Sequence, residues 1–151
     1  GEVGAFTDGE MTIAWTIRDG GSCRGDELVT LAPVYALEDP DPPVAVLVDK
    51  FTASSGEATM LAFIGRPDTR TFGEPTVGIA TVPQFFELSD GAGIVLAAAW
   101  MASRDGQSFD AEVTPDDIVA NFGPLSTRTP LEDDEILQAA LQWLASEHGC
   151  R

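Results

Sequence analysis

The residue with the clearest chemical potential is Ser54, which lies between an expected strand and an expected helix. Residues 44–49 are apolar until the last position, a pattern typical of a buried, parallel, central strand. Residues 57–63 are rich in Ala, Met and Leu, which favour a helix. A serine in such a turn exposes its Oγ beside helix N–H groups that have no intrahelical acceptor. Those groups can bind an anion, so the turn could perform acyl transfer through a tetrahedral oxyanion.

A purely structural role fits the same residues. Ser54-Ser55-Gly56-Glu57 has the spacing of a capping box, with Ser54 as the N-cap and Glu57 at N3. Judged on these residues alone, helix capping is favoured over catalysis. The Gly-x-Ser-x-Gly pattern of a nucleophile elbow is absent, although Ala53 and Gly56 are small enough to leave room for a substrate carbonyl.

The elements around this turn predict a mixed α/β chain. Residues 3–6 and 11–17 are β-rich, residues 18–22 read as a loop, and the proline- and acid-rich residues 38–43 as an exposed connection. Further along, residues 70–73 predict a short strand. A hairpin is predicted from Phe85 to Met101 around Ser89-Asp90-Gly91.

A last helix is predicted after a polar loop at residues 111–117. Thr129 would cap it, Pro130 would lie in its first turn, and acids at residues 132–135 would load its positive end. Gly149 would end it. One face of this helix collects the larger apolar side chains and an alanine, namely Ile136, Ala140, Trp143 and Leu144.

Net charge excludes several classes of partner. The 151 residues carry 25 Asp and Glu against eight Lys and Arg, a formal net charge of −17. Such a surface repels nucleic acid and anionic membranes. No apolar run approaches the roughly 20 residues that a membrane-spanning helix needs. Because the acids are scattered, they are more typical of a solubilising surface than of a cation site.

Metal-ligating and thiol side chains are few. His148 is the only histidine and no Cys/His group has zinc spacing, so neither a metal nor another cofactor is predicted. Cys23 and Cys150 are equally compatible with one disulfide in an exported protein and with two free thiols. The oligomeric state is left open.

Several motifs in register resemble those of the carboxyl-terminal-processing serine peptidases, a family that includes the tail-specific proteases, the tricorn core and interphotoreceptor retinoid-binding protein. An apolar strand leads into Thr52-Ala53-Ser54-Ser55-Gly56-Glu57. After it come, in order, Phe72-Gly73-Glu74-Pro75-Thr76-Val77-Gly78, Leu88-Ser89-Asp90-Gly91 and Thr114-Pro115-Asp116. The resemblance covers residues 44–120 and extends more loosely to both ends.

The resemblance implies a role for each matching residue. Ser54 corresponds to the nucleophile, and the backbone N–H of Ser55 to one oxyanion donor. Glu57 matches an acid that opens the helix, for which we expect a structural, capping role. The acid that orients the base is expected near the Thr-Pro-Asp loop, where Asp110 and Glu112 are equal candidates.

The general base is the feature in which the chain departs from the family. Ile79 occupies the position of the catalytic lysine of the tail-specific branch, so a Ser–Lys dyad at that site is excluded. Lys50, the only lysine, is better suited to a charge pair or to solvent. The tricorn-like branch uses a histidine upstream of its nucleophile, and no histidine precedes Ser54. His148 is better suited to the negative end of the last helix.

The expected fold is the family's crotonase-like α/β architecture, with stacked ββα units, a central sheet and flanking helices. Residues 1–151 are expected to be one unit, the C-terminal part of a catalytic domain whose N-terminal part precedes Gly1. The expected activity is endopeptidase hydrolysis of a peptide or protein through an acyl-enzyme on Ser54, weak or absent in the isolated chain. The alternative is a non-catalytic binding or scaffold domain of the same fold, for an apolar ligand or a peptide. The compartment is open, with an exported location favoured because relatives are often exported.

Overall fold

The computed structural model describes residues 41–120 and 130–149, together with the backbone of four N-terminal strands. These strands are β1 (Glu2–Thr7), β2 (Thr12–Arg18), β3 (Gly21–Arg24) and β4 (Glu27–Thr30). The elements that follow are β5 (Val44–Val48), α1 (Ser55–Phe63), β6 (Thr69–Gly73), β7 (Thr81–Glu87), β8 (Gly93–Ala102), β9 (Ser108–Phe109), β10 (Asp117–Ile118), a 3₁₀ turn (Leu131–Asp133) and α2 (Glu135–His148).

The described strands form two sheets. The larger is antiparallel in the order β4-β3-β2-β1-β8-β7, with β9 paired to the end of β8. The smaller is parallel in the order β10-β6-β5, and Val44–Val48 pairs residue for residue with Thr69–Gly73. Parallel neighbours need a crossover connection, which α1 supplies. The mixed α/β class expected from the sequence is therefore confirmed. Neither α1 nor α2 has the length and apolar character to cross a bilayer.

The parallel sheet is held between the two helices because its strands are apolar on both faces. Successive side chains of a strand point to opposite faces. Val46 and Val48 contribute to a cluster that contains Met60 and Leu61 of α1 and Met101 of β8. The other cluster combines strand and α2 residues, namely Ala45, Phe72, Ile136, Ala140 and Trp143.

The predicted position of β5 in its sheet is wrong. Among the described strands β6 is the middle one, while β5 lies at the edge and its Leu47 is 43% exposed. The long apolar run in β5 reflects packing on both faces: Val46 and Val48 contact the cluster on the α1 side, and Ala45 contacts the cluster on the α2 side.

The N-terminal predictions are confirmed in part. Residues 3–6 lie in β1, and most of residues 11–17 lie in β2. The predicted loop at residues 18–22 is too long, because β3 begins at Gly21 and pairs with Arg18. Neither β3 nor β4 was predicted, because both are only four residues long and rich in polar residues. Cys150 and the first half of the proline-rich connection lie outside the described residues.

The predicted hairpin is confirmed, and the predicted helix cap is wrong. β7 and β8 pair antiparallel, and Leu88 N–H closes the tip by donating to Ala92 O at 2.7 Å. Asp134 caps α2, because its side chain directly precedes the helix and accepts from Leu137 N–H at 3.0 Å. Pro130 instead precedes the 3₁₀ turn, and Thr129 lies outside the described residues. Gly149 ends α2 in the left-handed conformation, with φ 64°.

Gly73 allows β6 to run against the end of β5. Its φ is 131°, and a Cβ at this position would lie 1.8 Å from the carbonyl oxygen of Val48. Only glycine fits such a close approach of two backbones. The same carbonyl oxygen accepts from Glu74 N–H at 3.3 Å, so the chain that leaves β6 starts out beside the end of β5.

We expect Gly73→Ala to lower the free energy of unfolding by about 3 kcal/mol or more, because the new methyl group would meet rigid backbone. Gly91→Ala is the matched control, since Gly91 also has a positive φ of 85° but no atom within 4 Å of an added Cβ. Its cost is that of a left-handed alanine alone, about 1 kcal/mol. Urea denaturation of both variants measures the difference, and equal losses would contradict the steric interpretation.

Candidate active site

Ser54 occupies a strained turn between β5 and α1. Gly56 N–H donates to Ala53 O at 2.9 Å, which closes a β-turn with Ser54 at its second position. The Ser54 dihedral angles, φ 52° and ψ −111°, are those of a type II′ turn, where glycine is normally required. A non-glycine residue in such a region costs about 1–3 kcal/mol, and residues of this kind cluster at functional sites.

The same turn leaves the two serines accessible. Ser54 and Ser55 are both exposed. Ala58 N–H donates to Ser54 O at 2.9 Å, so the first helical hydrogen bond ends on the strained residue. Ser55 is the first residue of α1, and no acceptor for its N–H is present among the described residues. An exposed hydroxyl therefore lies next to a free backbone donor.

A second turn leads the chain out of β5. Thr52 N–H donates to Asp49 O at 3.0 Å, and Asp49 Oδ1 accepts from Phe51 N–H at 3.0 Å and from Thr52 Oγ1 at 3.1 Å. The Thr52 hydroxyl also accepts from Asp49 N–H at 3.0 Å. Side chains thus tie the backbone before Ser54, and the sequence analysis did not identify either residue.

The carboxylate of Glu57 lies at the centre of the site. Glu57 is 0% exposed. Its Oε2 accepts from Ser54 N–H at 2.7 Å and from Ile79 N–H at 3.0 Å, while Oε1 accepts from Thr76 Oγ1 at 2.6 Å and from Gly78 N–H at 2.7 Å. The bond to Ser54 N–H is the one a capping-box acid makes, so the expected capping role of Glu57 is confirmed. The other three bonds were not expected.

The segment 74–79 forms the second wall of the site. Val77 N–H donates to Thr52 O at 2.9 Å, which joins this segment to the turn before Ser54. Thr76 N–H donates to Val113 O at 3.1 Å, and Thr76 Oγ1 accepts from Val113 N–H at 2.9 Å. A Cβ on Gly78 would lie 2.7 Å from the backbone nitrogen of Glu112. Three stretches of backbone are therefore packed into one rigid unit around Glu57.

The structure brings Ile79 close to Ser54 but gives it no titratable group. The N–H groups of Ile79 and Ser54 donate to the same oxygen of Glu57. The Ile79 side chain is 50% exposed. Lys50, whose side chain is 52% exposed, pairs with Glu74 Oε1 at 3.4 Å, which confirms the expected charge pair.

His148 lies far from Ser54. Its ring packs edge-on against Trp143, with the ring centroids 4.7 Å apart, and lines a groove with Thr69 and Arg70 at the start of β6. Ser54 instead follows the end of the parallel strand β5. The start of β6 and the end of β5 lie at opposite ends of this parallel strand pair. The five paired residues between them span roughly 15 Å.

Asp110 and Glu112 are both exposed, and neither carboxylate receives a hydrogen bond from the described residues.

Thr76 and Gly78 belong to the site, and neither was predicted from the sequence to be a functional residue. The sequence did contain a signal for them. Glu57 is followed in the same helix by the apolar residues Ala58, Met60 and Leu61, so its carboxylate is expected to be buried and to need polar partners from another part of the chain.

The chain belongs to peptidase family S41, whose family model matches residues 7–119. Family S41 is a family of peptidases. Its fold is similar to that of the photosystem II D1 C-terminal processing protease, at 24% identity and a TM-score of 0.58 over 93% of this chain and 31% of that one.

Curated relatives agree with this membership. The chain is 30% identical over 105 residues to the nisin-resistance protein of Lactococcus lactis, covering 70% of this chain and 29% of the relative. It is 35% identical over 111 residues to the carboxyl-terminal-processing protease of Synechocystis sp., covering 73% of this chain and 25% of that protein. A lipoprotein from Streptococcus agalactiae has a similar structure, with 33% identity and a TM-score of 0.52 over 70% of this chain and 32% of that one. The chain thus spans less than a third of the length of each of these proteins.

The strain at Ser54 can be measured with two substitutions that both remove the hydroxyl group. Ser54→Gly adopts a positive φ without penalty, whereas Ser54→Ala keeps the strained backbone. Glycine relieves the backbone strain but loses more conformational entropy on folding than alanine does. Because the strain is the larger of the two, we expect the glycine variant to be the more stable by about 1 kcal/mol. Urea denaturation monitored by circular dichroism compares them. An alanine variant more stable than the glycine variant would contradict the strained turn.

Proposed function

We propose that the chain supplies the nucleophile and one oxyanion donor of a serine endopeptidase. The observation that carries the proposal is the conformation of Ser54, a non-glycine residue at φ 52° that is exposed and precedes Ser55, whose N–H has no acceptor among the described residues. Strain of this kind is retained where function needs it. A helix cap alone needs no positive φ, because N-cap residues ordinarily lie in the β region.

The reaction would be acyl transfer followed by hydrolysis. Ser54 Oγ would attack the scissile carbonyl carbon while its proton passes to a general base. The protonated base would then give that proton to the leaving amine as the C–N bond breaks and the acyl-enzyme forms. The N–H of Ser55 would donate to the oxyanion of the tetrahedral intermediate. Water would then attack the ester and release Ser54.

We infer that the general base comes from outside the described residues. Lys50 is paired with Glu74, Ile79 is apolar, and His148 lies near the opposite edge of the parallel sheet. Residues 1–151 would accordingly be the C-terminal part of a crotonase-like catalytic domain, in which β5, α1 and β6 belong to one of the stacked units. Because its backbone packs against Gly78, Glu112 is a better candidate than Asp110 for the acid that orients the base.

The substrate would be a peptide in an extended conformation. β5 leads directly to Ser54 and has an unpaired edge within the described part of its sheet. A peptide that adds to such an edge gains main-chain hydrogen bonds, and side-chain pockets then select its sequence. Leu47, 43% exposed on this strand, would contact an apolar residue of that peptide.

A fluorophosphonate probe tests whether Ser54 is an activated nucleophile. We expect labelling of the longest natural polypeptide that contains these residues, and complete loss of labelling in Ser54→Ala. Ser55→Ala is the matched control, because it removes the neighbouring hydroxyl group but keeps the backbone N–H. Mass spectrometry of the labelled peptide identifies the modified residue.

Two outcomes would overturn this assignment. Labelling that survives Ser54→Ala would place the nucleophile elsewhere. A properly folded protein that is not labelled at all would favour the non-catalytic binding or scaffold domain, the alternative that the apolar Ile79 beside Ser54 supports. Binding of an apolar ligand or of a peptide, followed by calorimetry, would then be the property to measure.

The isolated 151-residue chain is expected to hydrolyse peptides slower than a complete enzyme by several orders of magnitude, because it would lack its base. A fluorogenic peptide library provides the measurement, with Ser54→Ala as the control for contaminating proteases. Robust cleavage by the isolated chain that depends on Ser54 would show that the base lies within residues 1–151.

A further inference from the structure

We propose that Glu57 is a positioning residue for the reaction at Ser54, and not only a helix cap. Its buried carboxylate would hold two segments in one fixed arrangement: the turn at residues 53–56, called the nucleophile turn below, and residues 76–79. It would thereby orient Ser54 Oγ and Ser55 N–H toward the substrate carbonyl. This inference rests on the proposed function of Ser54.

The hydrogen bonds of Glu57 exceed what capping requires. A capping-box acid accepts from the N-cap N–H, and only the 2.7 Å bond to Ser54 N–H serves that purpose. The other three donors, on Thr76, Gly78 and Ile79, follow 19, 21 and 22 residues later in the chain. Glu57 is also 0% exposed, although a cap needs no burial. Its bonds therefore join two segments that are distant in sequence.

The bond to Ser54 acts on the strained residue itself. If Ser54 relaxed to a negative φ, the peptide group between Ser54 and Ser55 would rotate, and with it the N–H that is the proposed oxyanion donor. Glu57 opposes this relaxation by accepting from Ser54 N–H on one oxygen, while its other oxygen is held by Thr76 and Gly78. The carboxylate thus determines where both reacting groups point.

Glu57→Gln is the sharpest substitution, because it preserves size and shape. A carboxylate only accepts hydrogen bonds, whereas an amide has one accepting and one donating end. If the NH₂ group replaces Oε2, it faces the N–H groups of Ser54 and Ile79; if it replaces Oε1, it faces the N–H of Gly78. At least one backbone donor therefore loses its acceptor in either orientation.

The control must destabilise the same helix without touching these bonds. Leu61 is 1% exposed and packs in the core on the α1 side of the sheet. Leu61→Val produces a small cavity there and Leu61→Ala a large one. Their losses of stability are expected to lie on either side of the loss in Glu57→Gln. Thr76→Val is a second test, since it removes one donor to Glu57 together with the acceptor of Val113 N–H, and Thr76→Ser should restore both.

The experiment measures fluorophosphonate labelling of Ser54 in the longest natural polypeptide, at a temperature at which circular dichroism shows every variant folded. We expect Glu57→Gln to lower the inactivation rate constant by about 100-fold, the scale of a misplaced reacting group, with little change in the concentration of probe at half-saturation. The Leu61 variants should label at close to the wild-type rate. The amide proton resonances of Gly78 and Ile79 should shift in Glu57→Gln and not in Leu61→Val.

The outcomes separate this inference from the function on which it rests. Absence of labelling in the wild type overturns the proposed function, and the positioning role with it. If the wild type is labelled and Glu57→Gln is labelled equally fast, the positioning role is overturned and the proposed function stands. The same holds if Glu57→Gln is slowed only as much as a Leu61 variant of the same stability. If Glu57→Gln does not fold, the Thr76 pair decides. Slow labelling in Thr76→Val that Thr76→Ser restores supports the inference, and wild-type rates in both contradict it.

Discussion

The structure of the site depends on one buried acid, Glu57. Taking a carboxylate out of water is costly unless donors replace the lost hydration. Here one hydroxyl group and three backbone N–H groups replace it, at 2.6 to 3.0 Å. The backbone donors come from the turn around Ser54 and from the segment after β6, so one carboxylate links two segments that are also joined by the Val77 N–H to Thr52 O hydrogen bond. Misplacing the segment after β6 would leave Oε1 without a donor, and misplacing the turn around Ser54 would leave Oε2 with one donor in place of two.

Two unusual backbone conformations bring the chain to this acid. Gly73 lets the end of β6 approach the end of β5 more closely than any side chain would permit, and Ser54 turns the chain sharply into α1. The two positions differ in what they allow. Glycine at 73 is required by a steric contact, whereas serine at 54 is kept although glycine would fit its dihedral angles better. A steric contact therefore explains the glycine at 73, whereas the proposed function accounts for the serine at 54.

The sequence predicted those parts of the molecule that depend on local pattern. β5, β6, the hairpin and α2 all have a clear apolar period or turn signal, and the strand–turn–helix around Ser54 was placed correctly. What failed depends on long-range contacts. The edge position of β5 follows from sheet order, which the residues of β5 do not encode. The partners of Glu57 lie about twenty positions away. The cap of α2 is a local exception: residues 131–133 form a separate 3₁₀ turn, so the helix begins after Asp134.

The backbone bond of Ile79 has a consequence for how members of this family can differ. Residue 79 is fixed to Glu57 through its N–H, and its side chain is half exposed beside the nucleophile turn. The hydrogen bond to Glu57 therefore uses the amide group of residue 79 and does not require a particular side chain there. Proton-transfer chemistry and architecture are separable at this point. Under the proposed function, a base supplied from another part of the polypeptide is therefore compatible with this support of Ser54.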